Sequence, residues 1–208
     1  ILLAIVLGMT FHSCLDLEPQ DQLGGKNMWT SVNDYKQFAN TFYSWTRDFS
    51  SVVYDGTHSD KRSDLITYQS YNEFSRGINS IPSSDANYTD NYKHIRRTNL
   101  LLQNAEAYAK PEDIKQYIGE AYFFRAYSYF DLLQLYGDVI ITKKPLDITD
   151  PEMKVKRNDR SEVVDLIIDD LNHAVENLPA FKELTTEEEG RISKEGAQAF
   201  LSRVALYE

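Results

Sequence analysis

The sequence predicts an all-α fold of degenerate, tetratricopeptide-type helix pairs (an α-α superhelix) joined by long irregular loops. Three observations predict it. Apolar residues recur at three- and four-residue spacing in several separate stretches, the mark of helices that bury one face. Start and stop signals bracket those stretches: Ser31 with Asp34, Asp159 with Glu162 and Ser193 at the starts, Gly137 and Pro179 at the ends. Two helix pairs also align with each other. AYFFRAYSY, starting at 121, matches AFLSRVALY, starting at 199, at an offset of 78 (199 − 121). The preceding helices share a Leu-x-x-Ala step, Leu102/Ala105 against Leu171/Ala174, at an offset of 69 (171 − 102). Small residues spaced along one helix of a pair permit close packing.

In chain order, residues 1–11 (ILLAIVLGMTF) carry no charge and are too short for the ~20 residues that span a bilayer. They read as the apolar region of a secretory signal, and His12-Ser13-Cys14 follows as a lipoprotein-type cleavage site. Residues 1–14 are therefore read as signal peptide and lipobox, with Cys14 as the lipidated residue. Residues 15–25 (LDLEPQDQLGG) are acidic and rich in turn formers, and read as a tether. Residues 26–208 form the helical part. The missing initial methionine and the uncapped last helix give the expectation of a longer natural protein.

Within the helical part, Thr30 and Ser31 cap a helix whose Tyr35, Phe38, Ala39, Phe42 and Trp45 share a face. Residues 47–91 lack a sustained period and read as a long surface segment, the kind on which binding residues concentrate. Helix resumes at about Tyr88 and continues to Tyr108, and Pro111 breaks it. The next helix, from about Glu112 to Tyr136, ends at Gly137. From 121 to 136 only Arg125, Ser128, Asp131 and Gln134 are polar, and they do not share a face, so the helix should be covered on most sides. Arg125 is then expected to be paired, because an unpaired buried charge is costly. Residues 139–142 read as a short extended run and 143–158 as a charged loop with two prolines. Val164, Ile167, Ile168, Leu171, Ala174, Val175 and Leu178 mark the following helix. After an acidic loop at 183–190, Ala197, Phe200, Leu201 and Val204 mark the last.

The charge balance limits function. At −10 the chain lacks the basic footprint of a nucleic-acid binder. One cysteine allows neither an internal disulfide nor a thiolate zinc cage. His12, His58, His94 and His173 lack metal-ligand spacing, and neither Gly-x-Ser-x-Gly nor His-Glu-x-x-His occurs. Acidic pairs such as Asp169-Asp170 sit on an amphipathic helix, not as the two separated carboxylates of a glycosidase. No catalytic residue, metal site or cofactor is assigned. With 14 Tyr, 10 Phe and 2 Trp, the chain is well supplied with rings that pack cores or stack on sugars.

The order of motifs resembles the SusD/RagB family (starch-utilisation-system protein D and its relatives). The motifs are Cys14 followed by Leu15-Asp16 and Pro19; Asn27-Met28-Trp29 with Asn33-Asp34; Ser59-Asp60; Tyr92-Lys93-His94-Ile95 with Asn99; Glu120 to Phe130 running on to Leu135-Tyr136-Gly137-Asp138-Val139; and Gly190-Arg191-Ile192-Ser193-Lys194 with Ala197. Two departures stand out. Ile140 replaces the family's proline, and the segment between Ser59-Asp60 and Tyr92 has no tryptophan.

The resemblance implies a SusD-like helical domain of a lipid-anchored lipoprotein on the outer-membrane surface. Such a protein would bind an oligosaccharide and deliver it to a partner SusC-like TonB-dependent transporter, without enzymatic activity. Alternatives are a peptide-binding, RagB-like lipoprotein and a helical-repeat adaptor without glycan affinity. Sugar rings need aromatic faces and planar polar groups, and Tyr68, Tyr71, Asn72, Arg76 and Asn79 are the local ligand-binding candidates. Lys154, Lys156 and Arg157 are candidates for the transporter contact.

Overall fold

A computed structural model describes residues 28–47, 73, 75–147 and 149–208. Cys14, Ser59, Asp60, Tyr68, Tyr71 and Asn72 lie outside the described residues. The described part contains five α-helices: α1 (Val32–Asn40), α2 (Ala86–Glu106), α3 (Lys115–Tyr136), α4 (Arg160–Asn177) and α5 (Lys194–Tyr207). Short 3-10 turns connect them, and the only β-type pairing among the described residues is one antiparallel bridge between Val139 and Asn158.

The local signals act as the sequence implies. Ser31 Oγ accepts from the Asp34 N–H while the Asp34 carboxylate accepts from the Ser31 N–H, a reciprocal cap on α1. Asp85 caps α2 by accepting from the Asn87 N–H, so the helix begins at Ala86, earlier than its apolar pattern. Pro111 opens a 3-10 turn, Pro111–Ile114, and regular helix starts only at Lys115. Gly137 closes α3 at φ +69°, a backbone state that a side chain would strain. Glu162 accepts from the Asp159 N–H at the start of α4, and Ser193 caps α5 by accepting from the Gly196 N–H.

α3 is the centre of the molecule. It lies between α2 and α4, with α1 against it and α5 packed on α4 and on Phe123 and Phe130 of α3. Being covered on most sides is why its sequence shows no one-sided polarity: Tyr117, Ala121, Phe123, Phe124, Ala126, Tyr129, Phe130, Leu132 and Leu133 are all buried. Gly119 permits the approach of α4's end, since a Cβ there would stand 2.9 Å from Leu178 Cγ. Phe42, Trp45 and Tyr43 bring the N-terminal segment onto Phe124.

The two helix pairs exist, α2/α3 and α4/α5, but their aligned arginines differ in setting. Arg125 on α3 is buried, whereas Arg203 on α5 is exposed, 6.0 Å from the Phe130 ring centre. Of the face expected on α5, Ala197 and Val204 are buried but Phe200 and Leu201 only half-buried. α5 packs against α4 and also against α3, where Phe200 meets Phe123 and Phe130 and Tyr207 meets Phe130.

Candidate functional site

Several of the residues that carry the motifs face inward. Arg125 is 5% exposed and Asp170 on α4 is fully buried. Arg125 Nε and Nη2 donate to the two Asp170 oxygens at 2.8 and 2.6 Å, and Nη1 donates to Asn99 Oδ1 on α2 at 2.8 Å. One guanidinium therefore ties α2, α3 and α4 together in a bidentate, charge-assisted arrangement. The expected pairing of Arg125 is observed. Burial pushes the Asp170 carboxyl upward, and the Arg125 hydrogen bonds oppose that push.

Asn99 continues the network. Its Nδ2 donates to the Thr142 and Lys144 carbonyls at 2.9 and 3.2 Å. The Tyr129 hydroxyl accepts from the Thr142 N–H at 2.7 Å. The Tyr92 hydroxyl serves Ile140 in the same way at 2.9 Å. The extended run predicted at 139–142 is thus held by side chains of α2 and α3 and, through a single bridge, by Asn158. Ile140, where the family has proline, uses its N–H in that bond.

A second clamp joins distant motifs. Arg191 Nε and Nη2 donate to Glu120 at 2.8 and 2.7 Å, and Nη1 donates to Asn40 Oδ1 at 2.5 Å. The guanidinium lies 5.3 Å from the ring centres of both Tyr43 and Tyr117. Glu120 is fully buried. These residues position elements.

The exposed candidate region is at the opposite end of α3. There α2 begins, α3 ends and α4 begins, so the loops before α2 and between α3 and α4 meet. Tyr136 donates from its hydroxyl to Asp85 at 2.6 Å, which holds the Asp85 carboxyl below its ordinary value. Tyr88 stands edge-on to Tyr136 at 5.2 Å between centres and tilted against Tyr92 at 4.8 Å. All three rings are half-buried. They supply aromatic faces and hydrogen-bonding tips of the kind that sugars require.

Of the predicted ligand residues, Arg76 and Asn79 fall in one exposed segment that leads into this end, with a turn at Gly77 (φ +66°). The tyrosine cluster was not anticipated from the sequence. Its one signal was that two of its members, Tyr92 and Tyr136, stand in the motifs. His94 stacks on Trp45 at 4.1 Å, and burial lowers its pKa to about 4, so it is neutral at physiological pH. No cluster of metal-ligating side chains occurs among the described residues, and no helix among them is long and apolar enough to cross a membrane.

A family model, SusD-like_3, described as starch-binding and associating with the outer membrane, matches residues 15–206. A SusD-like protein, P38, of Formosa agariphila is 27% identical over 226 residues, covering 99% of this chain and 41% of that protein. A crystal structure of a SusD-like protein from Bacteroides fragilis superposes with a TM-score of 0.73 at 28% identity, over 91% of this chain and 37% of that one. A laminarin-binding SusD-like protein superposes with a TM-score of 0.57 at 30% identity, over 64% of this chain and 29% of that one. The chain thus spans about two fifths of the length of the curated relative, by its 41% coverage.

Proposed function

The chain belongs to the SusD-like family of starch-binding, outer-membrane-associated proteins, and from that premise we propose that it binds an oligosaccharide at the cell surface for delivery to a TonB-dependent transporter. The observation that carries this reading is the division of labour in the molecule. The motif residues Asn99, Glu120, Arg125 and Arg191 are turned into the scaffold. The tyrosines and the Arg76–Asn79 segment are left at the loop end. Likeness to a laminarin-binding relative supports a glycan over a peptide. Tyr68, Tyr71 and Asn72, with Arg76 and Asn79, remain the proposed ligand contacts.

The proposed role is binding without turnover. The test is a glycan and peptide array probed with the full-length natural protein, followed by assay for released reducing ends on each bound glycan. Saturable glycan binding with no release is expected. Sustained release would make the protein an enzyme, and binding of peptides alone would replace the glycan reading.

Localisation follows from the same premise. We propose that acylated Cys14 anchors the protein to the outer membrane, with residues 15–25 as tether. Intact-mass analysis of membrane-extracted protein should show a chain beginning at an acylated Cys14. An unmodified Cys14 within a longer N-terminus would remove the anchor.

A further inference from the structure

The chain is acidic overall, at −10, but the loop between α3 and α4 departs from that balance. Lys154, Lys156 and Arg157 are exposed, and among the described residues no carboxylate pairs with any of them. The acids nearby are held in local contacts and not by these three cations. Glu152 pairs with Lys144 at 2.7 Å. Asp150 accepts from the Asp147 N–H at 2.6 Å, and Asp147 accepts from the Thr149 N–H at 3.4 Å. Asp138 accepts from the Arg160 N–H at 3.0 Å, and Asp159 and Glu162 are held in the cap of α4. Within the loop, residues 153–157 carry Lys154, Lys156 and Arg157 and no acid.

Between the cations stand Met153 and Val155, 49% and 47% exposed. Met153 and Lys154 end a 3-10 turn, Pro151–Lys154, and Val155 leaves it in an extended conformation (φ −87°, ψ 164°). The run is anchored at Asn158, whose N–H donates to the Val139 carbonyl and whose Oδ1 accepts from the Ile141 N–H, both at 2.9 Å. Val139 follows closely on Tyr136 and Gly137, so the run is anchored at the loop end that carries the tyrosine cluster. The opposite end of the bundle is acidic, with Glu112, Asp113, Glu183, Glu187 and Glu189.

We propose that residues 153–157 form a subsite for an anionic saccharide, one bearing carboxylate or sulfate groups. The proposal rests on the glycan reading above and names the class of glycan. Lys154, Lys156 and Arg157 would meet the charged groups, and Arg157 can do so through two parallel N–H bonds. Met153 and Val155 would lie against the apolar C–H faces of the ring. A neutral glycan has no charge to set against three unpaired cations.

The test uses the full-length natural protein on an array of neutral, carboxylated and sulfated polysaccharides. The best ligand is expected to be anionic. The triple variant Lys154→Glu, Lys156→Glu, Arg157→Glu is expected to bind it about tenfold or more weakly at low salt, since three exposed attractions become repulsions. The gap should narrow at roughly 0.5 M salt, as exposed charges are screened. The melting temperature should be unchanged. A neutral best ligand bound equally by both proteins overturns the proposal and leaves glycan binding standing. Absence of binding to any glycan defeats both. A variant that keeps its glycan affinity but no longer captures the transporter assigns the loop to that protein partner, and the proposal falls.

Discussion

Arg125→Ala is expected to destabilise the fold by about 3–5 kcal/mol, the usual loss when one partner of a buried ion pair is removed. The reason is local. Asp170 is fully buried, and its two oxygens receive Nε and Nη2 of Arg125. Without the guanidinium the carboxylate faces an apolar interior, and Asn99 Oδ1 loses its donor. The double variant Arg125→Met, Asp170→Leu should recover most of the loss, because two apolar side chains of similar volume replace the pair. The deficit that remains should be about 1 kcal/mol, from the unmet Asn99 oxygen. Urea unfolding of the two variants beside the parent measures both effects. A double variant as unstable as the single would show that the site needs charge and not merely occupancy.

The second large effect depends on pH. Glu120 is fully buried, and burial pushes its pKa above the ordinary value of 4.5 while the Arg191 hydrogen bonds and charge pull it back. Arg191→Ala removes that opposing pull, so the folded-state pKa rises further. An acid whose folded pKa is raised binds more protons folded than unfolded, so stability falls as pH rises from the unfolded value through the folded one. The variant should therefore lose about 3–5 kcal/mol at pH 7, where Glu120 must ionise or hold a proton against the solution. Its loss should be smaller below pH 4.5, where Glu120 is neutral in both states. Adding Glu120→Gln should flatten this pH dependence. Melting curves from acid to neutral pH check it, and a deficit of constant size would rule out Glu120 as the cause.

Much of this scaffold was legible before any coordinates. Helix caps are local chemistry, so Ser31 with Asp34, Asp159 with Glu162, Ser193 and Gly137 announced their roles within a few residues. The need of Arg125 for a partner was also readable, because a single cation in a long apolar helix has to be neutralised. Which partner was not readable: Asp170 lies 45 positions away, and nothing local distinguishes it from Asp169. The clamp between Arg191 and Glu120 spans 71 positions and was invisible for the same reason. Residues 139–142 read as extended without revealing why, since side chains of α2 and α3, with a single bridge to Asn158, stand in for a neighbouring strand. The tyrosine cluster at the loop end joins Tyr88 and Tyr136 from two helices, a meeting that periodicity along one helix cannot show.

The central claim is that the motifs build the scaffold while the loops bind the glycan. One calorimetric series tests it most directly. The array-identified glycan is titrated into the full-length parent, into Tyr68→Ala with Tyr71→Ala, and into Arg125→Met with Asp170→Leu. The tyrosine pair should lose about tenfold or more in affinity with an unchanged melting temperature, since each stacking face is worth roughly 0.5–1.5 kcal/mol beyond its buried area. The scaffold pair should bind within about twofold of the parent, because distant sites act independently. Full affinity in the tyrosine variant, together with lost affinity in a folded scaffold variant, would contradict the account.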